Sequence, residues 1–262
     1  MRTRQISIVL LMCLMAAACA GESTAPSTTQ PPSTTSTTVL VTTTSTAAPT
    51  TTSTTAGTTT TTAATTTTTT GGDIPGEPIE FGPASGDTLA VIGVAHDDVL
   101  NLRTLPGADQ PIVAEIPPTF ADLTALGETR ELPGSFWISV DYEGTIGWVN
   151  LRYTGYLGAT EDITSTVSAQ VPGAETMLDL GYLVANEVTS EEPPSEIILV
   201  VAPTVGDLGE VTYDVIGFGD DALRGLRLHV FGDPIIEAFT LRSVEATSLC
   251  GRGVDPASGA CV

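Results

Sequence analysis

Asp-Val-Leu-Asn-Leu-Arg-Thr-Leu-Pro-Gly (98–107) and Phe-Trp-Ile-Ser-Val-Asp-Tyr-Glu-Gly-Thr-Ile-Gly-Trp-Val (136–149) decide the reading of this chain. The first segment alternates as a short strand and stops at a Pro-Gly turn. The second is two strands joined at Glu143-Gly144, each carrying a tryptophan. An acidic or Asn residue followed by Gly between alternating runs is a strong hairpin signal. The strand of the first segment is Val99–Arg103; working outward, Leu89–Val94, Ile112–Ile116 and Asp122–Leu126 read as further short strands separated by turn residues. Six short strands within about 65 residues predict a small antiparallel barrel, an architecture that binds more often than it catalyses.

The motifs are specific enough to suggest a family. The strand Leu100-Asn101-Leu102-Arg103 followed by Pro106-Gly107, the run Trp137-Ile138-Ser139-Val140, and the closing Gly144-Thr145-Ile146-Gly147-Trp148-Val149 resemble a bacterial SH3 (SH3b) domain over roughly residues 88–157. The resemblance implies an SH3-like barrel that binds cell-wall peptide or glycan. Gly127 to Ser135 departs from the pattern and is expected to lengthen a surface loop.

The N-terminus reads as an export signal. Met-Arg-Thr-Arg is basic, and Ile6–Met15 is an apolar run too short to span a bilayer. Ala16-Ala17-Ala18-Cys19 resembles a bacterial lipoprotein signal over residues 1–18, with lipid carried on Cys19, although Ala16 stands where Leu is usual. Ordinary secretion, with cleavage after Ala18-Cys19-Ala20, is the alternative. Residues 19–78 are expected to be a disordered linker. Their Thr/Ser/Pro-rich core, 22–72, is nearly uncharged and lacks the apolar content to fold. About 50 such residues would span on the order of 40 Å as a flexible coil.

After the barrel (79–158) and a linker near Gly158–Pro172, a small α+β domain is expected over 170–262. Ala174–Val188 has helical spacing at Met177, Leu180, Leu183, Val184 and Val188. Gly181 weakens that helix by about 1 kcal/mol relative to Ala. Ile197–Ala202 reads as a buried strand. Gly209–Ile216 alternates with Val211, Tyr213 and Val215 on one face, and Gly225–Phe231 alternates with Leu226, Leu228 and Val230. Phe239–Val244 is a fourth strand. The expected class is therefore mainly β: an SH3-like antiparallel barrel, then a small α+β domain, preceded by a disordered Thr-rich stalk.

Charge and composition exclude several functions. The formal charge is −22, from 31 acidic residues against nine arginines and no lysine. Such a surface repels phosphate backbones, so no nucleic-acid partner is expected. Of four cysteines, Cys13 leaves with the signal and Cys19 is assigned to lipid. In an exported protein the remaining pair, Cys250 and Cys261, reads as a disulfide closing a loop of about 12 residues and adding about 2–3 kcal/mol. A zinc site would need more ligands than lie nearby.

No catalytic set is apparent. His96 and His229 are the only histidines, and neither sits beside a nucleophile and an orienting acid. Asp97-Asp98, Glu191-Glu192 and Asp220-Asp221 are ordinary pairings in so acidic a chain, and Asp220-Asp221 lacks calcium-loop spacing. No enzyme, cofactor or metal is expected. Trp137 and Trp148 are read as barrel core. A binding face is expected from Asn101, Arg103, Tyr142, Tyr153 and an exposed edge of Trp148. Asn101 and Arg103 have a structural reading as well, in which they satisfy turn backbone groups. Together these features predict a non-enzymatic, extracytoplasmic lipoprotein anchored to the bacterial cell membrane, with peptidoglycan as the ligand. The alternative is a protein-interaction scaffold that never meets the wall.

Overall fold

The computed structural model describes residues 73–262. The expected signal 1–18, the lipidation site Cys19 and the Thr-rich tract up to residue 72 lie outside the described residues. No helix among the described residues is long and apolar enough to cross a membrane.

The architecture is mainly β and antiparallel. The first strands are β1 (Glu77–Ile79), β2 (Thr88–Val91), β3 (Leu100–Arg103), β4 (Ile112–Ile116), β5 (Leu123–Leu132), β6 (Ser135–Tyr142) and β7 (Thr145–Asn150). A 3-10 turn, Leu151–Tyr153, leads into β8 (Thr154–Asp162) and the short helix α1 (Thr164–Val167). Then come β9 (Gly173–Ala174), α2 (Met177–Glu187), β10 (Glu196–Val205), β11 (Gly209–Ile216), β12 (Leu223–Ile235) and β13 (Ala238–Cys250). One open path of hydrogen-bonded strands runs β10-β11-β12-β13-β8-β2-β5-β6-β7-β3-β4, with β1 on β5 and β9 on β13 as side branches.

The β6–β7 hairpin turns where expected. Glu143 and Gly144 both have positive φ, 50° and 86°, the pair of left-handed residues that a two-residue turn needs to match strand twist. The expected loop at Gly127–Ser135 is instead strand. β5 continues to Leu132 through a bulge between Ala125 and Thr129, where Gly127 takes φ 82°, and turns at Pro133-Gly134. Its charges hid this extension. Arg130 pairs with Glu128, and the far end of β5 pairs with β1, which lies partly inside the segment expected to be disordered linker.

The expected linker Gly158–Pro172 is also corrected. β8 runs through its start, and α1 fills part of the remainder. Thr154 and Gly155 pair with β2, while Tyr156–Asp162 pair with β13. Two glycines of β8 are close-approach positions. A Cβ on Gly155 would stand 2.9 Å from Ile92 Cδ1, and one on Gly158 would stand 2.7 Å from the Gly259 carbonyl. The described residues accordingly belong to one compact unit rather than two separated ones.

Two apolar clusters hold the unit together, one in each lobe. The N-terminal lobe packs Leu89, Val91, Leu100, Leu102, Leu123, Ile138, Val140 and Val149. The C-terminal lobe packs α2 against one face of its sheet, with Met177, Leu180 and Val184 meeting Val211, Tyr213, Val215, Leu228 and Val230. α2 begins at Thr176, whose side chain accepts from Asp179 N–H at 3.0 Å, a side-chain cap for the first turn. Leu183, expected on the apolar face, is instead exposed, and Gly181 and Ala185 are buried in its place. Gly181 lets the helix approach the sheet: a Cβ there would stand 2.5 Å from Val211 Cγ1 and 2.6 Å from Tyr213 Cε2.

A third, smaller cluster of Ile92, Ile216, Leu249 and the flanking Ile198 joins the lobes. It accounts for the continuous apolar run in β10. Ile197 and Leu199 pack toward α2 and Ile198 packs toward Ile92, so both faces are covered where the lobes meet. Yet β10 is an edge strand with two register shifts, and Val201 and Ala202 are exposed, so the expectation of a buried strand over Ile197–Ala202 holds only for its first half.

Candidate functional site

The lobes are held together by arginines of β12. Asp214 on β11 has no exposed side-chain surface, and Arg227 meets it with both ends of its fork, Nε to Oδ1 at 2.8 Å and Nη2 to Oδ2 at 2.9 Å. The same carboxylate accepts from Gly93 N–H at 2.8 Å, and Arg227 also donates to the Val91 carbonyl at 2.9 Å. Arg224 donates to the carbonyls of Thr154, at 2.7 Å, and Arg152, at 2.6 Å. Burial, and secondarily repulsion from Arg152, lowers the Arg224 guanidinium from its ordinary pKa. None of these residues stood out in the sequence. The available signal was scarcity: with so few cations in the chain, each arginine inside an alternating strand is a candidate for a fixed structural bond.

Between the lobes lies a cleft of about 710 Å³. One wall is the loop Gly93–Val99, with Asn101 and Arg103 of β3 and with Asn150, Arg152 and Tyr153 around the 3-10 turn. The other wall is Glu196–Leu199 of β10, with Ile216 beside it. A second cavity of about 360 Å³ shares Arg152, Glu196 and Ile216 and extends to Asp220 and Arg224. The Asn150 side chain accepts from Arg152 N–H at 3.0 Å and thereby fixes the turn that presents Arg152 and Tyr153. The Arg152 guanidinium lies 5.8 Å from the Tyr153 ring centre and 3.6 Å from Glu196 across the cleft.

Of the five residues expected to form a binding face, the structure brings Asn101, Arg103 and Tyr153 together in this cleft. Arg103 also fills the structural role considered for it, donating from Nη1 to the Gln110 carbonyl within the β3–β4 turn. The other two lie elsewhere. Tyr142 packs edge-on against Phe120, with ring centres 4.8 Å apart, and joins the N-terminal cluster. Trp148 is only 6% exposed, so the exposed edge expected of it is absent. It sits on a strand beside Arg103 and does not line the cleft. Trp137 is buried as well, its indole N–H donating to Ser135 Oγ at 3.0 Å, but it borders the cleft.

The other sequence candidates do not assemble into chemistry. His229 lies 3.4 Å from Glu210 and tilts against Phe231 on the sheet surface. His96 is exposed, and its backbone N–H donates to the Leu199 carbonyl at 2.8 Å. Asp220 accepts from the N–H groups of Ala222 and Leu223, which hold its carboxyl below the usual carboxylate range, and Asp221 pairs with Arg252. Among the described residues, no group of three or more His, Cys, Asp or Glu is placed to hold a metal ion. The sulfurs of Cys250 and Cys261 are joined, with Cα atoms 5.1 Å apart, and the loop they close lays the Gly259 carbonyl on the N–H of Ala159 in β8.

No protein-family model, curated protein or solved structure matches this chain.

Proposed function

We propose that this protein is a non-enzymatic lipoprotein of the bacterial cell envelope. Lipid on Cys19 anchors it outside the cytoplasmic membrane, and the Thr-rich tract spaces the folded part outward. Its N-terminal lobe is an SH3b-like barrel that binds cell-wall peptide or glycan, and the C-terminal lobe is a small α+β unit that supports it. The observation that carries this reading is the convergence of Asn101, Arg103 and Tyr153 on one half-open cleft bounded by aromatic and cationic side chains. Such mixed lining suits a polar ligand with an apolar face. The wide excess of acid over base argues against a nucleic-acid or anionic-lipid partner.

Sedimentation with purified, teichoic-acid-free wall tests the proposal. The full chain should pellet with the wall; a chain that stays wholly in the supernatant refutes it. The anchor is tested separately. A Cys19→Ala variant should move from membranes to the medium, and retention on membranes would remove the lipid from the account.

A second reading draws on α2, where Leu178, Tyr182 and Leu183 are exposed together. An apolar helix face of this kind suits a protein partner, and in that reading the chain is an envelope scaffold that does not meet the wall. Loss of wall sedimentation together with retained capture of an envelope protein through α2 would favour it.

A further inference from the structure

The cleft has features that narrow its ligand beyond wall material in general. Among the seven arginines of the described residues, Arg103 and Arg224 alone form no ion pair with a carboxylate. The chain has 31 acidic residues against nine arginines, so cations without an acidic partner are unexpected. Arg103 lines the larger cavity and Arg224 the smaller, and Arg152, its side chain 65% exposed, lines both. Arg103 spends one N–H on the Gln110 carbonyl, which leaves most of its planar fork without a partner.

The opposite wall is a strand edge. β10 is the last strand of the sheet, and across its outer edge the Leu199 carbonyl accepts from His96 N–H. In an antiparallel ladder the N–H and C=O of one residue point the same way and alternate between edges. The N–H of Leu199 and both backbone groups of Ile197 therefore face outward with that carbonyl; the Gly93–Val99 loop covers the edge at Leu199, so Ile197 is the residue whose N–H and C=O are turned into the cleft. These groups border the cleft and can pair with an extended peptide backbone.

We infer that the cleft binds an extended peptide that pairs with Ile197 on the outer edge of β10 and places a free carboxylate on the open fork of Arg103, with the exposed Arg152 beside it as a second positive charge. The C-terminal lobe is then half of the site and not an accessory. A carboxylate fits better than a polyphosphate or phosphodiester chain. One planar anion matches one open fork, whereas a polyanion would meet the field of a chain at −22 and the acids Asp98, Glu196 and Asp220 around the same cavities. This inference rests on the wall-binding proposal for its setting, and it names the part of the wall, a peptide with a free carboxylate, that the site would grip.

Titration of the full chain with trialanine, followed by calorimetry and by tryptophan fluorescence (Trp137 borders the cleft), tests it. Saturable binding is expected with Kd on the order of 1 mM for so small a probe. The C-terminal amide of trialanine, and a trialanine N-methylated at its central residue, should each bind about 10-fold more weakly. Arg152→Gln, an exposed change in the turn, should weaken trialanine by a similar factor while leaving the melting temperature unchanged. Arg103→Gln should weaken it further. Inorganic phosphate should not compete.

No saturation by about 20 mM, equal binding of acid and amide, equal binding after N-methylation, or displacement by phosphate would each overturn the inference. Trialanine binding that persists while the protein fails to sediment with wall supports this site and removes the wall reading. Wall sedimentation without trialanine binding removes this inference alone.

Discussion

Replacing Arg227 with Met isolates the bond that ties the two lobes. In the native protein Asp214 is wholly buried and takes three hydrogen bonds, two from Arg227 and one from Gly93 N–H. Arg227→Met leaves a buried carboxylate with a single neutral donor and also strips the Val91 carbonyl of its partner. Removing one member of a buried pair costs about 3–5 kcal/mol, because the remaining charge is neither hydrated nor matched. For a unit of this size each kcal/mol shifts the melting temperature by about 2–4 °C, so a drop of about 10 °C is expected. Thermal and urea denaturation of the full chain provide the measurement. Adding Asp214→Asn to Arg227→Met removes the orphaned charge and should restore about 2 kcal/mol. A loss below about 1 kcal/mol for the single variant, the range of an exposed ion pair, would refute the reasoning. So would a double variant no more stable than the single one.

Three other outcomes follow from the packing. Gly181→Ala, which helix propensity alone would make stabilising, should instead destabilise by about 1–3 kcal/mol, because its Cβ enters the space of Val211 and Tyr213; a rise in stability would show that helix and sheet can move apart there. The Tyr213 phenol is pushed up to about 12, chiefly by burial and then by the charge of Asp179, and burial with an Asp87 hydrogen bond raises Tyr156 further. Both groups stay protonated in the folded state after their unfolded counterparts ionise near pH ~10. Stability should therefore fall as pH rises above that value. Absorbance titration of the native protein should show lagging phenols, and one sharp step for all five tyrosines would contradict the assignment. Converting both Cys250 and Cys261 to Ala should cost about 2–3 kcal/mol in chemical denaturation. The intact mass of the native chain should rise by two hydrogens on reduction, and an unchanged mass would show that the sulfurs are not bonded.

The legible parts of the fold were those in which local pattern and tertiary role agree. The Glu143-Gly144 hairpin, the helix beginning after Thr176, and the alternation of Val211, Tyr213 and Val215 all place apolar groups at a single period. The misread parts serve two surroundings at once. β8 carries glycines because it passes close to Ile92 and the 250–261 loop, and glycines in a short polar run look like a linker. The far half of β5, paired with β6 on one side and with the short β1 on the other, carries Glu128, Arg130 and Glu131 on partly or fully exposed positions, and charges there look like a loop. The site was half legible. Asn101, Arg103 and Tyr153 belong to the lobe whose motifs could be recognised, but the facing wall, Glu196–Leu199, comes from a strand distant in sequence. Nothing in a single sequence pairs those two segments. Tyr142 and Trp148 were misplaced because an aromatic near a turn can face either side of a thin sheet, and here the apolar side won.

The strand β8 is common property of both lobes, and this has a kinetic meaning. The lobes that carry the two walls of the cleft are tied through one strand: the Thr154–Asp162 backbone is bonded to β2 at one end and to β13 at the other, and Arg224 and Arg227 brace the same seam. A ligand of the proposed site would then meet lobes already held at a set spacing. Its association should be a single bimolecular step whose observed rate rises linearly with concentration, with no slower closing phase, and its selectivity should come from which ligands fit rather than from which can induce a change.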